Sequence, residues 1–188
     1  TKETFSAPTV HNSGTFANSG SFAANDIDNM EIFENTGTLT SGTVTNSGTF
    51  ENKETFGNTG TLTASTVTNS GTFENTETFS ADTVFNSGIF SNDGSFTATD
   101  INNTLTFGNT GTLTATTVDN SGAFENLNIF NAPTVDNSGT FTNDGSFTAT
   151  DVNNTLIFGN TATLTADTVD NSGTFANGGS FTATEVNN

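Results

Sequence analysis

Large apolar residues recur along the chain in steps of six, six and five. From Val10 the series runs Phe16, Phe22, Ile27, Phe33, Leu39, Val44, Phe50 and Phe56, and further on Val84, Phe90, Phe96, Ile101, Phe107, Leu113 and Val118. The unit is therefore 17 residues long: two hexapeptides ending in Phe or Leu and a pentapeptide ending in Val or Ile, as in DNSGTF, TNDGSF and TATDV. Segments this short and rich in Thr, Val and Phe predict strands separated by Ser-Gly and Asn-Gly corners, and helical spacing is sustained nowhere. Stacking such turns about 4.8 Å apart gives an all-β, single-stranded β-solenoid with three short strands per turn. About eleven turns make a rod roughly 50 Å long.

Polar columns keep the same period. Asn follows each aliphatic marker by two positions at Asn12, Asn29, Asn46, Asn69, Asn86, Asn103, Asn120, Asn137, Asn154, Asn171 and Asn188. A second Asn series, from Asn18 to Asn177, follows the first Phe of each unit, and Ala fills the third corner with Ser41 as its one exception. Asn tolerates the left-handed backbone and can bond to its copies above and below, so these columns predict stacked corner ladders. The first Phe of each unit, namely Phe16, Phe33, Phe50, Phe73, Phe90, Phe107, Phe124, Phe141, Phe158 and Phe175, predicts one unbroken aromatic core column. One hexapeptide is extra, GNTGTL at 57–62, and it predicts a single 23-residue turn over 44–67 with a bulge or a local change in cross-section. A longer period is superimposed: residues 84–118 return almost unchanged as 135–169.

The whole chain, 1–188, reads as a single solenoid domain, uncapped at both ends. Repeats that begin and stop mid-turn predict either a segment cut from a longer array or end-to-end stacking of copies, for which the final Asn-Asn joined to the initial Thr-Lys-Glu-Thr-Phe resembles, with one residue more, the internal run Asn-Asn-Thr-Leu-Thr-Phe. Handedness stays open: hexapeptide spacing suits left-handed solenoids, and many adhesin solenoids are right-handed.

Composition narrows the function. The net charge of −18, with only Lys2 and Lys53 as cations, argues against nucleic acid and anionic membrane surfaces as partners. No apolar run is long enough for a membrane span. His11 is the only histidine, and neither Cys nor Arg occurs, so nucleophilic triads and thiolate sites lack their parts. The remaining enzymatic option, paired carboxylates cleaving a polysaccharide, needs acids converging on one cleft. Here they recur with the scaffold, Glu34, Glu51, Glu74 and Glu125 in one column and Asp26, Asp100, Asp151 and Glu185 in another. No catalytic residue and no cofactor is expected.

Two other surface readings arise. Asp136, Asp151, Asp170 and Glu185 are expected on neighbouring turns, where a calcium ion could bridge them; the competing reading is a solvated acidic face. Pairs such as Thr38/Thr40, Thr61/Thr63, Ser95/Thr97, Thr112/Thr114 and Thr163/Thr165, interrupted by Ala23, Ile129 and Asn131, form an outward hydroxyl array. This array resembles the ice-binding face of solenoid antifreeze proteins, and the alternative is plain β-propensity on an exposed strand. Outward Ile32, Phe85, Ile89, Ile129 and Ile157 could add lateral contacts between rods.

Repeats such as TVDNSGTFTNDGSFTATDV resemble, over the whole chain, the β-helical repeats of large bacterial adhesins of the filamentous-haemagglutinin-like and autotransporter-passenger families. The resemblance implies export, an extracellular or cell-surface location, and a role in adhesion or in a filament with itself or a surface receptor as partner. It carries over no catalytic residues.

Overall fold

The computed structural model describes residues 4–188. Twenty-three strands join in one sheet that winds into a solenoid of about eleven turns, and every strand pairing is parallel. Outside one strand pair, each paired residue meets the one 17 positions ahead, as Phe90 does Phe107 and Val118 does Val135. The six-six-five spacing thus becomes three faces per turn. Face A carries the inward column Phe16, Phe33, Phe50, Val67, Val84, Ile101. Face B carries Phe22, Leu39, Phe56, Phe73, Phe90, Phe107. Face C carries Val10, Ile27, Val44, Leu62, Phe79, Phe96.

These columns correct the expected one. No turn is 23 residues long. Val44 pairs with Leu62, 18 positions on, and Phe50 with Val67, back at 17. The extra hexapeptide therefore occupies an ordinary face, and everything after it is rotated by one face relative to everything before. A 23-residue turn would leave six residues without partners on either neighbouring turn, whereas the rotation keeps nearly every backbone group paired, which buried peptide groups require. Its cost is local. Where a pentapeptide lies against a hexapeptide the ladder shifts register, once between Ser41 and Thr43 and once, in compensation, between Asn46 and Thr49. The Phe series consequently breaks into two columns: Phe16, Phe33 and Phe50 on face A, and Phe73 through Phe175 on face B.

Within face B the rings from Phe73 to Phe158 stack 4.6 to 4.8 Å apart and within 10° of parallel, the spacing of the turns themselves. Phe50 and Phe73 instead meet edge-on at 6.3 Å and 81°. The interior is closed: Phe33 through Phe158 on faces A and B, and Leu62, Phe96, Leu113 and Phe147 on face C, are buried, while Phe16 and Phe175 are half-buried.

The corners need no left-handed backbone, because no described residue has a positive φ. Asn is there for its carboxamide. The Nδ2 of Asn86 donates to Asn103 Oδ1 at 2.8 Å, to the Thr106 carbonyl at 2.8 Å and to the Gly88 carbonyl at 3.1 Å, so one buried side chain ties together two turns and its own corner. Glycine is required by crowding: a Cβ on Gly139 would lie 2.2 Å from the Gly122 carbonyl oxygen. Where a side chain does occupy that corner, the turns adjust. The Thr106 N–H to Gly88 carbonyl bond beside Leu105 lengthens to 3.2 Å, and the next bond, Ala123 N–H to Leu105 carbonyl, closes to 2.6 Å.

Phe107, fully buried between Phe90 and Phe124, is the test of the stacked column. Phe107→Ala is expected to cost about 3–5 kcal/mol in thermal or denaturant unfolding. The outward neighbour change Thr106→Ala should stay within about 0.5 kcal/mol.

Candidate functional site: ladders and outward faces

The Asn side chains form three ladders rather than two. One corner, between faces A and B, runs unbroken from Asn18 through Asn35, Asn52, Asn69, Asn86 and onward to Asn188, with Nδ2–Oδ1 distances of 2.6 to 2.8 Å. The corner between C and A holds Asn12, Asn29 and Asn46 and then changes to Ala64, Ala81 and Ala98. The corner between B and C does the reverse, from Ala7, Ala24 and Ser41 to Asn58, Asn75 and Asn92. The expected series from Asn12 to Asn171 is therefore two ladders: Asn46 lies under Ala64, and Asn69 belongs above Asn52. Ser41, the exception in the Ala series, sits at the changeover, where its hydroxyl donates to the Thr43 carbonyl at 3.1 Å as an Asn would to its own corner. Asn46 has no such remedy: its Nδ2 is buried and has no hydrogen-bond partner.

The acids are redistributed in the same way. Glu34 and Glu51 stand on face A, but Glu74 and Glu125 stand on face B; Asp26 stands on face C, apart from Asp100, Asp151 and Glu185 on face A. The four residues expected to meet across neighbouring turns do not. Asn153 separates Asp136 from Asp170, and Thr168 separates Asp151 from Glu185. Asn153 donates to Asp136 at 2.6 Å, and Asn187 donates both to Asp170 at 2.7 Å and to Glu185 at 3.1 Å, so amides rather than a cation meet three of the four charges. Among the described residues no three His, Asp or Glu side chains are grouped as a metal ion needs.

Like charges do meet at Asp119 and Asp136, directly paired on face A in a shallow groove also lined by Asn102, Ser121 and Asn153. Partial desolvation in the groove, then the charge of Asp136, its hydrogen bond and the charge of Asp100 push the Asp119 carboxyl above the ordinary carboxylate range. At the other end of face A, Lys53 lies 2.5 Å from Glu34 and 3.5 Å from Glu51, and the hydrogen bond to Glu34 raises its pKa. His11 is exposed, 3.6 Å from Asp28.

Face C is different. From Thr43/Thr45 upward the outward pairs are Thr61/Thr63, Thr78/Ser80, Ser95/Thr97, Thr112/Thr114, then Ile129/Asn131, then Ser146/Thr148, Thr163/Thr165 and Ser180/Thr182. These nine turns carry no charged residue between the two columns, in a chain with twenty acidic residues. Thr38/Thr40 and Ala23 belong to face B, so the hydroxyl array starts at Thr43/Thr45 instead and is interrupted only at Ile129/Asn131. Corner hydroxyls are engaged, Thr76 with the Asn58 carbonyl at 2.9 Å and Thr104 with the Asn86 carbonyl at 3.2 Å. On face C, among the described residues, the paired Thr and Ser hydroxyls are half or fully exposed and make no bond within the chain. Scattered apolar residues also stand outward, Ile32, Phe85, Ile89, Ile129 and Ile157 together with Leu105, Leu127 and Leu156. No described helix is long and apolar enough to cross a membrane.

The fold and the ladders define a parallel β-solenoid. Compared with known proteins, the chain matches no family model, no curated protein and no solved structure.

The Asp119–Asp136 contact has a pH-dependent consequence. Asp119's folded pKa is raised, so the folded state holds its proton more tightly and loses stability as pH rises through that raised value. Asp119→Asn should therefore stabilise the rod at pH 7, by roughly 0.2–1 kcal/mol for a like-charged cross-strand pair. The gain should fade as pH falls from that raised value to the ordinary carboxylate range, below which Asp119 is protonated in both states, and melting curves of both proteins across pH 3–7 check it.

Proposed function

We propose that the chain is a non-enzymatic structural rod, a subunit or stalk of an extracellular bacterial filament or surface adhesin. The carrying observation is the corner ladder from Asn18 to Asn188, which accompanies backbone pairing through every turn without a break. Such a rod resists bending because each level is bonded to the next by backbone and by side chain, and it offers proteases little unpaired backbone. In a parallel solenoid one rim complements the other, so copies can add by a heterologous, non-closing contact, and a receptor at the cell surface or in its matrix is the outer partner of the assembly. The repeats' resemblance to adhesin solenoids supports the extracellular placement. Electron microscopy of the purified chain at neutral pH tests the assembly: filaments many times longer than about 50 Å are expected, and discrete rods of that length at all concentrations would refute end-to-end stacking.

A second reading is favoured by face C. Hydroxyls there are set about 4.8 Å apart between turns and roughly 6.7 Å apart along each strand, a neutral, regular and flat lattice of groups free to bind water. Such a lattice suits the surface of ice better than it suits a charged macromolecule. On this reading the wild-type chain shows thermal hysteresis, Thr97→Lys with Thr114→Lys abolishes it, and Ser91→Lys on face B leaves it intact. Absence of hysteresis in the wild type rules the reading out.

A further inference from the structure

We infer that the contact between the strands Thr38–Asn52 and Thr55–Asn69 is a built-in parting line, at which the rod opens before it opens anywhere else. In a solenoid each turn touches only its neighbours, so stability is a sum over successive interfaces and the weakest one decides where local opening begins.

Four observations single out this interface. Elsewhere in the described ladders each turn is tied to the next by two Asn–Asn bonds; here only Asn52 to Asn69 remains, because Ser41 lies under Asn58 and Asn46 under Ala64. Asn46 Nδ2 is the one buried side-chain nitrogen or oxygen without a partner among the described residues. The stacked rings are interrupted: Phe50 lies beneath Val67 and meets Phe73 only edge-on, and on the next face Leu39 lies beneath Phe56, so no ring is paired with a ring across this level. Finally, the backbone ladder shifts register twice within this one strand pair.

These defects reinforce one another. Opening costs less side-chain bonding and less ring contact here than at other levels, and it gives Asn46 access to water, supplying the hydrogen bond it lacks when closed. The segment below the line then separates as a block while the turns from Thr55 upward keep both of their Asn ladders. In a rod loaded along its axis, this would make the lower block the part that yields first; that use rests on the structural reading above, whereas the parting line itself does not.

Native-state hydrogen exchange of the full chain tests it. Residues 38–52 are compared with 137–151, which lie equally far from the opposite end, so that fraying of the ends affects both alike. Exchange in 38–52 is expected to be at least about tenfold faster, reflecting a lower local opening free energy. Deleting residues 57–62 restores a uniform 17-residue phase, placing Asn69 above Asn46 and Phe73 above Phe50, and should bring the two segments within about twofold of each other. Equal protection in the intact chain would overturn the inference, as would fast exchange of 38–52 that survives the deletion, since the weakness would then belong to the lower block itself. Should the deletion variant fail to fold, Ala64→Ser provides the second measurement. Its hydroxyl can accept from Asn46 Nδ2 while donating to the Thr66 carbonyl, as Ser41 does to Thr43, and it should slow exchange of 38–52 without changing 137–151. No change in 38–52 would count against Asn46 as a cause and overturn the inference.

Discussion

Everything in this molecule depends on one constraint: each buried peptide group must find its partner on the turn above or below. Parallel pairing at an offset of 17 meets it on the faces, and the buried Asn carboxamides meet it at the corners, where the chain bends and backbone carbonyls such as those of Gly88 and Thr106 converge on the Asn86 amide. The aromatic stacks result from that spacing rather than set it. Rings 4.6 to 4.8 Å apart are where the turns put them, and Phe is the side chain that fills the gap between three faces without adding a polar atom to be satisfied.

The same constraint explains what could and could not be seen in the amino-acid order. Steps of six, six and five contain the strands, the three faces and the inward residues, because inward position and residue type coincide on every turn. They do not contain the vertical alignment across the extra hexapeptide. Aligning like with like puts Phe73 above Phe50 and Asn69 above Asn46; counting paired backbone puts Val67 and Ala64 there instead. Backbone pairing prevails, since exchanging Phe for Val in a column costs a contact, whereas an unpaired hexapeptide would strand several amide and carbonyl groups. Ser41 was the visible hint: a polar residue in a series otherwise made of Ala marks where an Ala corner becomes an Asn corner.

The surface chemistry was less legible for the same reason. Acids at the same repeat position on the two sides of the extra hexapeptide do not share a face, as Glu51 and Glu74 show. The four carboxylates expected to crowd one another do share face A and are held apart by the 17-residue register itself, which interleaves Asn153 and Thr168 and sets Asp119 against Asp136. Charge is thus carried on faces A and B and at the corners, while face C remains neutral above Thr43. Only the counted alignment separates these two surfaces.

Because a hexapeptide inserted between two faces leaves the core closed and merely turns the later part of the chain by a third of a revolution, this rod can grow in units smaller than its own repeat. Its surfaces behave like the rings of a combination lock: one short insertion or deletion re-aims every outward residue beyond it, bringing a different set of side chains into line along the shaft while the disturbance inside stays at the one level where the insertion falls.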